Sequence, residues 1–266
     1  MPITPMPSLP ALLLLVAPLL CQAANQTSMP SQLDGQLAEI AQNPGKDYNR
    51  AAISNIGRSA QPRAVPTIED AFDKASDETD KLCLASALVR LGASDSRYWN
   101  YLSAAAEKLL DARVPMVSLL GIDGKVDHPG DYTSAFRQWA KAKGLDVDEA
   151  AYTQTYVAPA SILDIAAAGD PRGLPILRRS LVDESPTIQL YGAMGLAILQ
   201  DKSSIRAIIR TAKMAPPDMR ASFGDCLLTF DDAEAQAAAE ELISDKERFK
   251  ESRQLAEEKG PRSLLP

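Results

Sequence analysis

Residues 188–201 read IQLYGAMGLAILQD, and the pattern of this stretch returns at a fixed distance along the chain. The step is 31 residues, because Leu199 follows Ala168 at 199 − 168 = 31 and Phe230 follows Leu199 at 230 − 199 = 31. A fixed period with apolar residues in matching positions predicts a stack of repeated helical units. The same step joins four further sets of residues: Ile165, Leu196 and Leu227; Asp170, Asp201 and Asp232; Leu177, Ile208 and Ala239; and Leu181, Ala212 and Ile243.

Each unit is predicted to be a pair of helices joined by a short polar turn. In residues 188–199, and again in 205–212, the apolar residues recur at helical spacing. The joint between the two is residues 200–204, QDKSS, and the preceding unit has residues 169–173, GDPRG, at that place. We expect the glycine to end one helix and the proline to fit the first turn of the next.

Small residues mark the contact face of the second helix in a unit. Gly192, Ala193 and Gly195 fall within one helical stretch. A glycine inside a helix costs roughly 0.5–1 kcal/mol relative to alanine. We expect close approach of a neighbouring helix to offset that cost.

The run in residues 188–201 resembles the second helix of a short HEAT-like repeat, of the variant found in phycobilin lyase-type proteins. Residues 219–232 fit the same pattern, and residues 169–177 resemble the joint of that family. The resemblance implies an all-α fold, a right-handed α–α superhelix. The repeat phase is lost after Leu110 and returns near Val157, which predicts a helical and loop insert between early and late repeats. It also implies scaffolding between proteins, since such arrays mainly serve that role and fold alone does not fix function.

Solenoids of this kind offer a concave face lined by their second helices. Four polar residues share or flank one register position on that face and are the candidates there for binding a protein partner: Arg50, Lys81, Gln189 and Arg220.

The predicted organisation of the chain has six segments. They are a signal peptide (1–23), a flexible leader with a first helix (24–46), early HEAT-like repeats (47–112), an insert with an amphipathic helix (113–156), three repeats in strict phase (157–243), and a charged C-terminal helix or tail that caps the stack (244–266).

The first 23 residues resemble an export signal. An apolar stretch between Leu9 and Leu20 is too short to span a membrane, and Cys21 and Ala23 occupy the small-residue positions before a cleavage site. The sequence therefore predicts a periplasmic or secreted protein without stable membrane insertion. Acylation of Cys21 as a lipid anchor is the alternative.

The acidic balance of the chain argues against nucleic-acid binding. The formal net charge is −7, whereas general nucleic-acid binding needs a basic face. Two local clusters of arginine and lysine, in residues 172–179 and 206–213, are interpreted as solvated helix surface.

The insert concentrates aromatic residues in a chain that is poor in them. Phe136, Trp139 and Tyr152 lie in or next to its predicted helices, with Tyr156 close behind. Aromatic side chains dominate the energetics of interfaces, so they are candidates for partner binding. The alternative is that they pack the insert onto the stack.

No set of residues predicts a catalytic centre, a metal or a cofactor. His128 is the single histidine, which is too few for a zinc site, and it lies in a loop with Asp123, Asp127 and Asp131 whose carboxylates are too sparse for a calcium loop. Cys83 and Cys226 are predicted to lie in equivalent helices of non-adjacent units. That placement is too distant for a disulfide.

These observations favour an exported, non-enzymatic scaffold that binds a protein partner through its concave face, through the aromatic insert, or through both. The repeat subtype leaves open a chromophore-lyase-like chaperone or an accessory subunit of an enzyme. A third interpretation makes the insert a lid over a small ligand.

Overall fold

The computed structural model describes residues 29–42, 48–114, 134–152 and 159–264. All of the regular structure in these ranges is helical, so the all-α prediction is confirmed. The helices are α1 Met29–Gln42, α2 Arg50–Ser59, α3 Val65–Lys74, α4 Glu78–Arg90, α5 Ser96–Ala112, α6 Ser134–Ala142, α7 Val147–Tyr152, α8 Ala160–Ala168, α9 Leu174–Ser180, α10 Pro186–Ile198, α11 Ile205–Met214, α12 Pro217–Leu228, α13 Ala233–Leu242 and α14 Lys246–Lys259. Short 3-10 turns precede α3, α9 and α11, and another follows α14 at Pro261–Leu264.

Local chemistry sets the ends of these helices. Side-chain oxygens of Asn49, Asp77 and Asp232 accept hydrogen bonds from backbone amides in the first turns of α2, α4 and α13. Such caps satisfy donors that have no partner inside the helix. At the end of α8, Gly169 adopts the left-handed conformation and Pro171 opens the next turn, as the sequence predicted.

The second helices of the predicted units, followed by the C-terminal helix α14, form one row. In this row α2 contacts α4, α4 contacts α8, α8 contacts α10, α10 contacts α12 and α12 contacts α14. The other helices lie beside it: α1 contacts α3, α5 contacts both α8 and α9, and α11 contacts α13. Because α4 contacts α8 directly, the row continues past the 69 residues that separate Arg90 from Ala160.

The positions that repeat every 31 residues build the core. Ile165, Leu196 and Leu227 are fully buried and belong to α8, α10 and α12. The other apolar sets behave alike, and of their residues only Leu199 is half-buried. The period therefore marks the residues that face neighbouring helices.

The glycines of the second helices sit where helices approach closely. A methyl group added at Gly192 would come within 2.8 Å of the Ser180 side chain and 2.9 Å of the Leu177 backbone oxygen, both on α9. At Gly195 the same addition would meet Leu177 at 2.5 Å. The predicted reason for these small residues, close packing of α9 on α10, is confirmed.

The two helices of the insert have a small core of their own. Phe136 and Ala140 of α6 are buried with Ala150 and Ala151 of α7. Trp139 packs on this cluster, with its ring centroid 5.5 Å from that of Phe136. The insert core is a cluster separate from the main core.

The C-terminal segment folds back along the row of second helices. Helix α14 packs on α12 although none of its residues is fully buried. The turn Pro261–Leu264 contacts α10, α12 and α14, and Leu264 packs against the main core. In the part of the chain that the structure describes, no helix has the length and apolar character that crossing a membrane requires.

Candidate functional site

Charged and polar side chains gather around α4, which lies between α2 and α8 in the row. We call this group the polar cluster. Its members are Arg58 of α2, Cys83, Ser86 and Arg90 of α4, Asp164 of α8, and Arg262 of the C-terminal turn.

Helix α4 supplies three members from one face. Cys83, Ser86 and Arg90 are spaced by three and four residues, which places them in line along the helix. The Ser86 hydroxyl donates a hydrogen bond to the backbone oxygen of Asp164 at 3.1 Å. This bond ties α4 to α8 at the cluster.

Arg90 carries a charge whose hydrogen bonding is incomplete. Its Nε and Nη2 atoms are buried and have no hydrogen-bond partner among the described residues. Burial lowers the pKa of Arg90 to about 10, and repulsion from Arg58 and Arg262 adds to that effect. The guanidinium still carries its charge at neutral pH. A buried donor without a partner is costly, and more so when it is charged.

The Asp164 carboxyl group and the Arg90 guanidinium attract each other electrostatically, yet the two form no ion pair in the described structure. Burial raises the pKa of Asp164 to about 7, against the opposing attraction of Arg90 and Arg50. Near pH 7 this carboxyl group is therefore divided between its neutral and ionised forms.

The thiol of Cys83 lies in the same region but is not activated. Burial raises the pKa of Cys83, with Asp164 as a second cause, and its Sγ lies 3.7 Å from the backbone oxygen of Arg50. A nucleophilic cysteine needs a lowered pKa. Cys226 in α12 is also a free thiol, and α8 and α10 lie between the two helices that carry the cysteines.

Arg50, one of the predicted partner-binding residues, forms ion pairs at the start of α2 and α4. Its Nε donates to Asp80 at 2.7 Å and its Nη2 donates to Asp77 at 3.1 Å. Asp80 is nearly fully buried and also accepts from the backbone amide of Tyr48. Arg50 therefore serves to join α2 to α4, while half of its side-chain surface remains in solvent.

The other three predicted residues of the second helices lie near the starts of their helices. The Lys81 ammonium group stands 5.6 Å from the centroid of the Phe72 ring, Gln189 donates to the Asp183 backbone oxygen at 2.6 Å, and Arg220 donates to the Ala215 backbone oxygen at 3.0 Å. Arg50 and Lys81 are on neighbouring helices, as are Gln189 and Arg220, but α8 separates the two pairs.

The predicted aromatic residues of the insert lie inside it or at its edge. Phe136 is fully buried, so its ring is a core residue of the insert. Trp139 is half-buried, and its Nε1 is buried without a hydrogen-bond partner among the described residues. Tyr152 ends α7, and its side chain lies outside the described residues.

The described residues contain no group of three His, Cys, Asp or Glu side chains that could hold a metal ion. His128, Asp123, Asp127 and Asp131 lie outside the described residues, and so do the predicted signal peptide, Cys21 and Tyr156.

Sequence reasoning missed Arg90, Asp164 and Arg262 as functional candidates. A local signal existed for two of them. Asp164 is the only charged residue of α8, and Arg90 is the one charge that follows the apolar run of α4 from Leu82. Their proximity depends on the contact of α4 with α8, which the sequence pattern did not reveal.

No protein-family model matches this chain, and no curated protein matches it. The resemblance to HEAT-like repeats stays a prediction from the residue pattern.

Proposed function

We propose that this chain is a HEAT-like α-solenoid, exported from the cytoplasm, that acts as a non-enzymatic scaffold for a protein partner. The arrangement we infer is a right-handed superhelix of helix pairs with the insert between the early and late repeats. The partner binds along the face of the second helices.

One observation carries this proposal, the unbroken row of second helices. Each of α2, α4, α8, α10, α12 and α14 contacts the next, and this order of neighbours supports an extended face of helices. Solenoids use such surfaces to hold partner chains. The buried 31-residue positions support the same arrangement, because they place equivalent side chains between successive helices.

Half-buried and exposed side chains give the row its chemical character. Asp164 of α8, Tyr191 of α10 and Arg220 of α12 keep part of their surface in solvent on three successive helices. Burial raises the pKa of Tyr191, so its hydroxyl stays protonated at neutral pH. A partner would meet both charged and aromatic groups, which is the mixture found at protein interfaces.

Affinity capture with matched variants tests the proposal. The chain is immobilised and incubated with envelope extract of its source, and bound proteins are identified and quantified. The face variant combines Gln189→Ala with Arg220→Ala, since in the described part of the chain these side chains donate to backbone oxygens outside the helices. The control is Arg206→Ala, an exposed residue of α11 that pairs with Glu234.

We expect one stoichiometric protein to bind the unchanged chain and the control, and to be lost from the face variant. Equal capture by all three would contradict the assignment of the face. A further variant, Trp139→Ala, tests the insert. If this variant loses the bound protein while the face variant keeps it, the binding site is on the insert. A chain that captures no protein would contradict the scaffold proposal itself.

A further inference from the structure

The C-terminal turn, Pro261–Leu264, lies against the helices that the proposed function assigns to a protein partner. Its main contacts are with α10, α12 and α14, which all belong to the row. The side chain of Arg262 reaches one helix further, to the end of α8, where its Nη2 atom lies 4.0 Å from the position that a Cβ would take at Gly169. The turn therefore extends over three successive helices of the row, α12, α10 and α8.

Two side chains of the turn meet this face in different ways. Leu264 is half-buried and packs against the main core. Arg262 is exposed, and its guanidinium group stands where α8 ends at Gly169. The backbone oxygens at the end of a helix carry partial negative charge, which attracts a cation. The face thus accepts an apolar side chain and a cation that are two residues apart in one short segment.

The turn is held less firmly than the helices it covers. Neither α14 nor the turn has a fully buried residue, whereas α10 and α12 each have several. In the described chain the hydrogen bonds of the turn are local, since the backbone amide and the hydroxyl of Ser263 donate to the Gly260 oxygen at 3.1 and 2.7 Å. A segment with few buried contacts opens locally at a small cost in free energy.

Gly260 provides the point at which the turn can swing away. Its φ is +64° and its ψ is −165°, a conformation that is open essentially to glycine alone. A Cβ added there would meet nothing within 4 Å. The open space around this residue leaves room for the turn to leave the face while α14 keeps its place on α12.

We propose that the turn Pro261–Leu264 is an autoinhibitory segment, which occupies part of the partner-binding face until a partner displaces it with a segment of the same chemistry. This proposal rests on the proposed function for the existence of the partner. The displacing segment is a short peptide in which an apolar side chain replaces Leu264 and an arginine or lysine two residues earlier replaces Arg262. The formal net charge of the chain, −7, favours a basic segment as well.

The attachment of the turn to the chain sets the threshold that a partner must exceed. A tethered segment competes at an effective concentration on the order of millimolar. A partner segment that lacks either the apolar residue or the cation binds no better than the turn and leaves it in place. The turn therefore selects among segments before any wider contact with the face forms.

The test uses the full chain and a fluorescent peptide of residues 260–264 with an amidated end, with binding followed by fluorescence polarisation. Leu264→Asp in the chain places a charge against the main core and should release the turn. We expect this variant to bind the peptide about tenfold or more tightly than the unchanged chain, because the tethered competitor has left. The control is Val182→Asp, at a residue that is 81% exposed, and it should bind as the unchanged chain does.

A second variant and two altered peptides complete the test. Arg262→Gln changes an exposed side chain, so it keeps the fold and decides the test if Leu264→Asp does not fold. We expect it to bind the unaltered peptide severalfold more tightly than the unchanged chain does. A peptide carrying Leu264→Asp should lose binding to the released chain, and one carrying Arg262→Gln should bind it severalfold more weakly.

Each outcome decides the proposal. Unchanged peptide affinity in both chain variants, or equal binding of the Leu264→Asp peptide, would overturn it. In the capture experiment, Leu264→Asp should retain more of the partner than the unchanged chain, and equal capture would show that turn and partner do not share a face. The peptide assay contains no partner protein. A gain in peptide affinity without any captured protein would therefore contradict the scaffold proposal alone.

Discussion

Gly192 shows how much of the packing between repeats depends on the absence of one methyl group. Gly192→Ala places that methyl against the Leu177 backbone oxygen, which cannot move without shifting α9. We expect the free energy of unfolding to fall by roughly 1–3 kcal/mol. Chemical denaturation followed by circular dichroism measures this.

The matched control is Gly35→Ala in α1, where an added methyl group meets nothing within 4 Å. Relief of the helical cost of glycine should raise the stability of that variant by about 0.5–1 kcal/mol. A destabilised control or a neutral Gly192→Ala would show that close packing is not the reason for the glycine.

Asp164 makes the stability of the fold depend on pH. Its pKa is about 7 in the folded state, above its ordinary value of 3.8, so the folded state holds the proton more tightly. The stability from this group is fully present below pH 3.8 and is lost as the pH rises toward 7. Arg90 and Arg50 face the same carboxyl group and oppose the effect.

Asp164→Asn should remove that dependence. We expect the variant to be more stable than the unchanged chain at pH 8 and to lose this advantage near pH 4, as measured by urea denaturation across that range. Asp218→Asn, an exposed residue of α12, serves as the control. A variant whose curve runs parallel to that of the unchanged chain would contradict the raised pKa of Asp164.

For single residues, the sequence predicted those whose role depends on their spacing within one helix. Gly192 and Gly195 were identified from their spacing within one helix, and their closest contacts are with Ser180 and Leu177 of α9, while Gly195 also lies close to Ala166 of α8. Lys81 was placed on the partner-binding face from its register alone, but its ammonium group stands over Phe72 of α3. Register gives the position of a residue on a helix, while the direction of a long side chain depends on its neighbours.

Among the elements, the joint between α10 and α11 is held by a repeated aspartate. The hydrogen bond from Arg178 and those from Ser204 and Ser203 hold the pKa of Asp201 well below its usual range. Asp170 and Asp232 cap the elements that follow them at the equivalent positions. The 31-residue repeat therefore preserves a turn as well as a core.

We expect Asp201→Asn to lower the melting temperature at pH 7. A group with a depressed pKa contributes stability above its unfolded pKa, and that contribution is lost as the pH falls through its folded pKa. The difference between variant and unchanged chain should therefore shrink below about pH 4. Asp231→Asn, the exposed neighbour of Asp232, is the control; a difference independent of pH would argue for packing rather than charge.

Helix ends were predictable because glycine, proline and aspartate act within one turn of the chain. Gly169 and Pro171 stand where the sequence placed a joint. The partner of α5 was not predictable, since this helix contacts α8 and α9 across the insert. A period measures similarity along the chain, and it carries no information about contacts that cross an interruption.

For the molecule as a whole, the two hydrophobic cores predict two different responses when a buried aromatic ring is replaced by alanine. Phe223→Ala removes a fully buried ring from the main core and should cost about 3–5 kcal/mol of global stability. Phe136→Ala removes a ring from the small core of α6 and α7, which has few other residues to hold it. We expect the insert helices to open while the repeats stay folded.

Hydrogen exchange by mass spectrometry separates the two responses. Phe136→Ala should accelerate exchange in residues 134–152 and leave α8 to α13 unchanged. Faster exchange throughout the repeats would show that the insert supports the stack directly.

The direct contact of α4 with α8 has a consequence for the order of folding. Other neighbours in the row are joined by bonds between residues about 30 positions apart, such as Arg50 of α2 to Asp80 of α4, whereas Ser86 and Asp164 are 78 positions apart. Closing a longer loop costs only about 0.6 kcal/mol for each doubling, so equilibrium stability is little affected. The folding rate is affected instead, because folding slows as the contacting residues become more distant along the chain. We therefore expect the docking of α8 on α4 to be a slow step of folding, at the place where Ser86 bonds to Asp164.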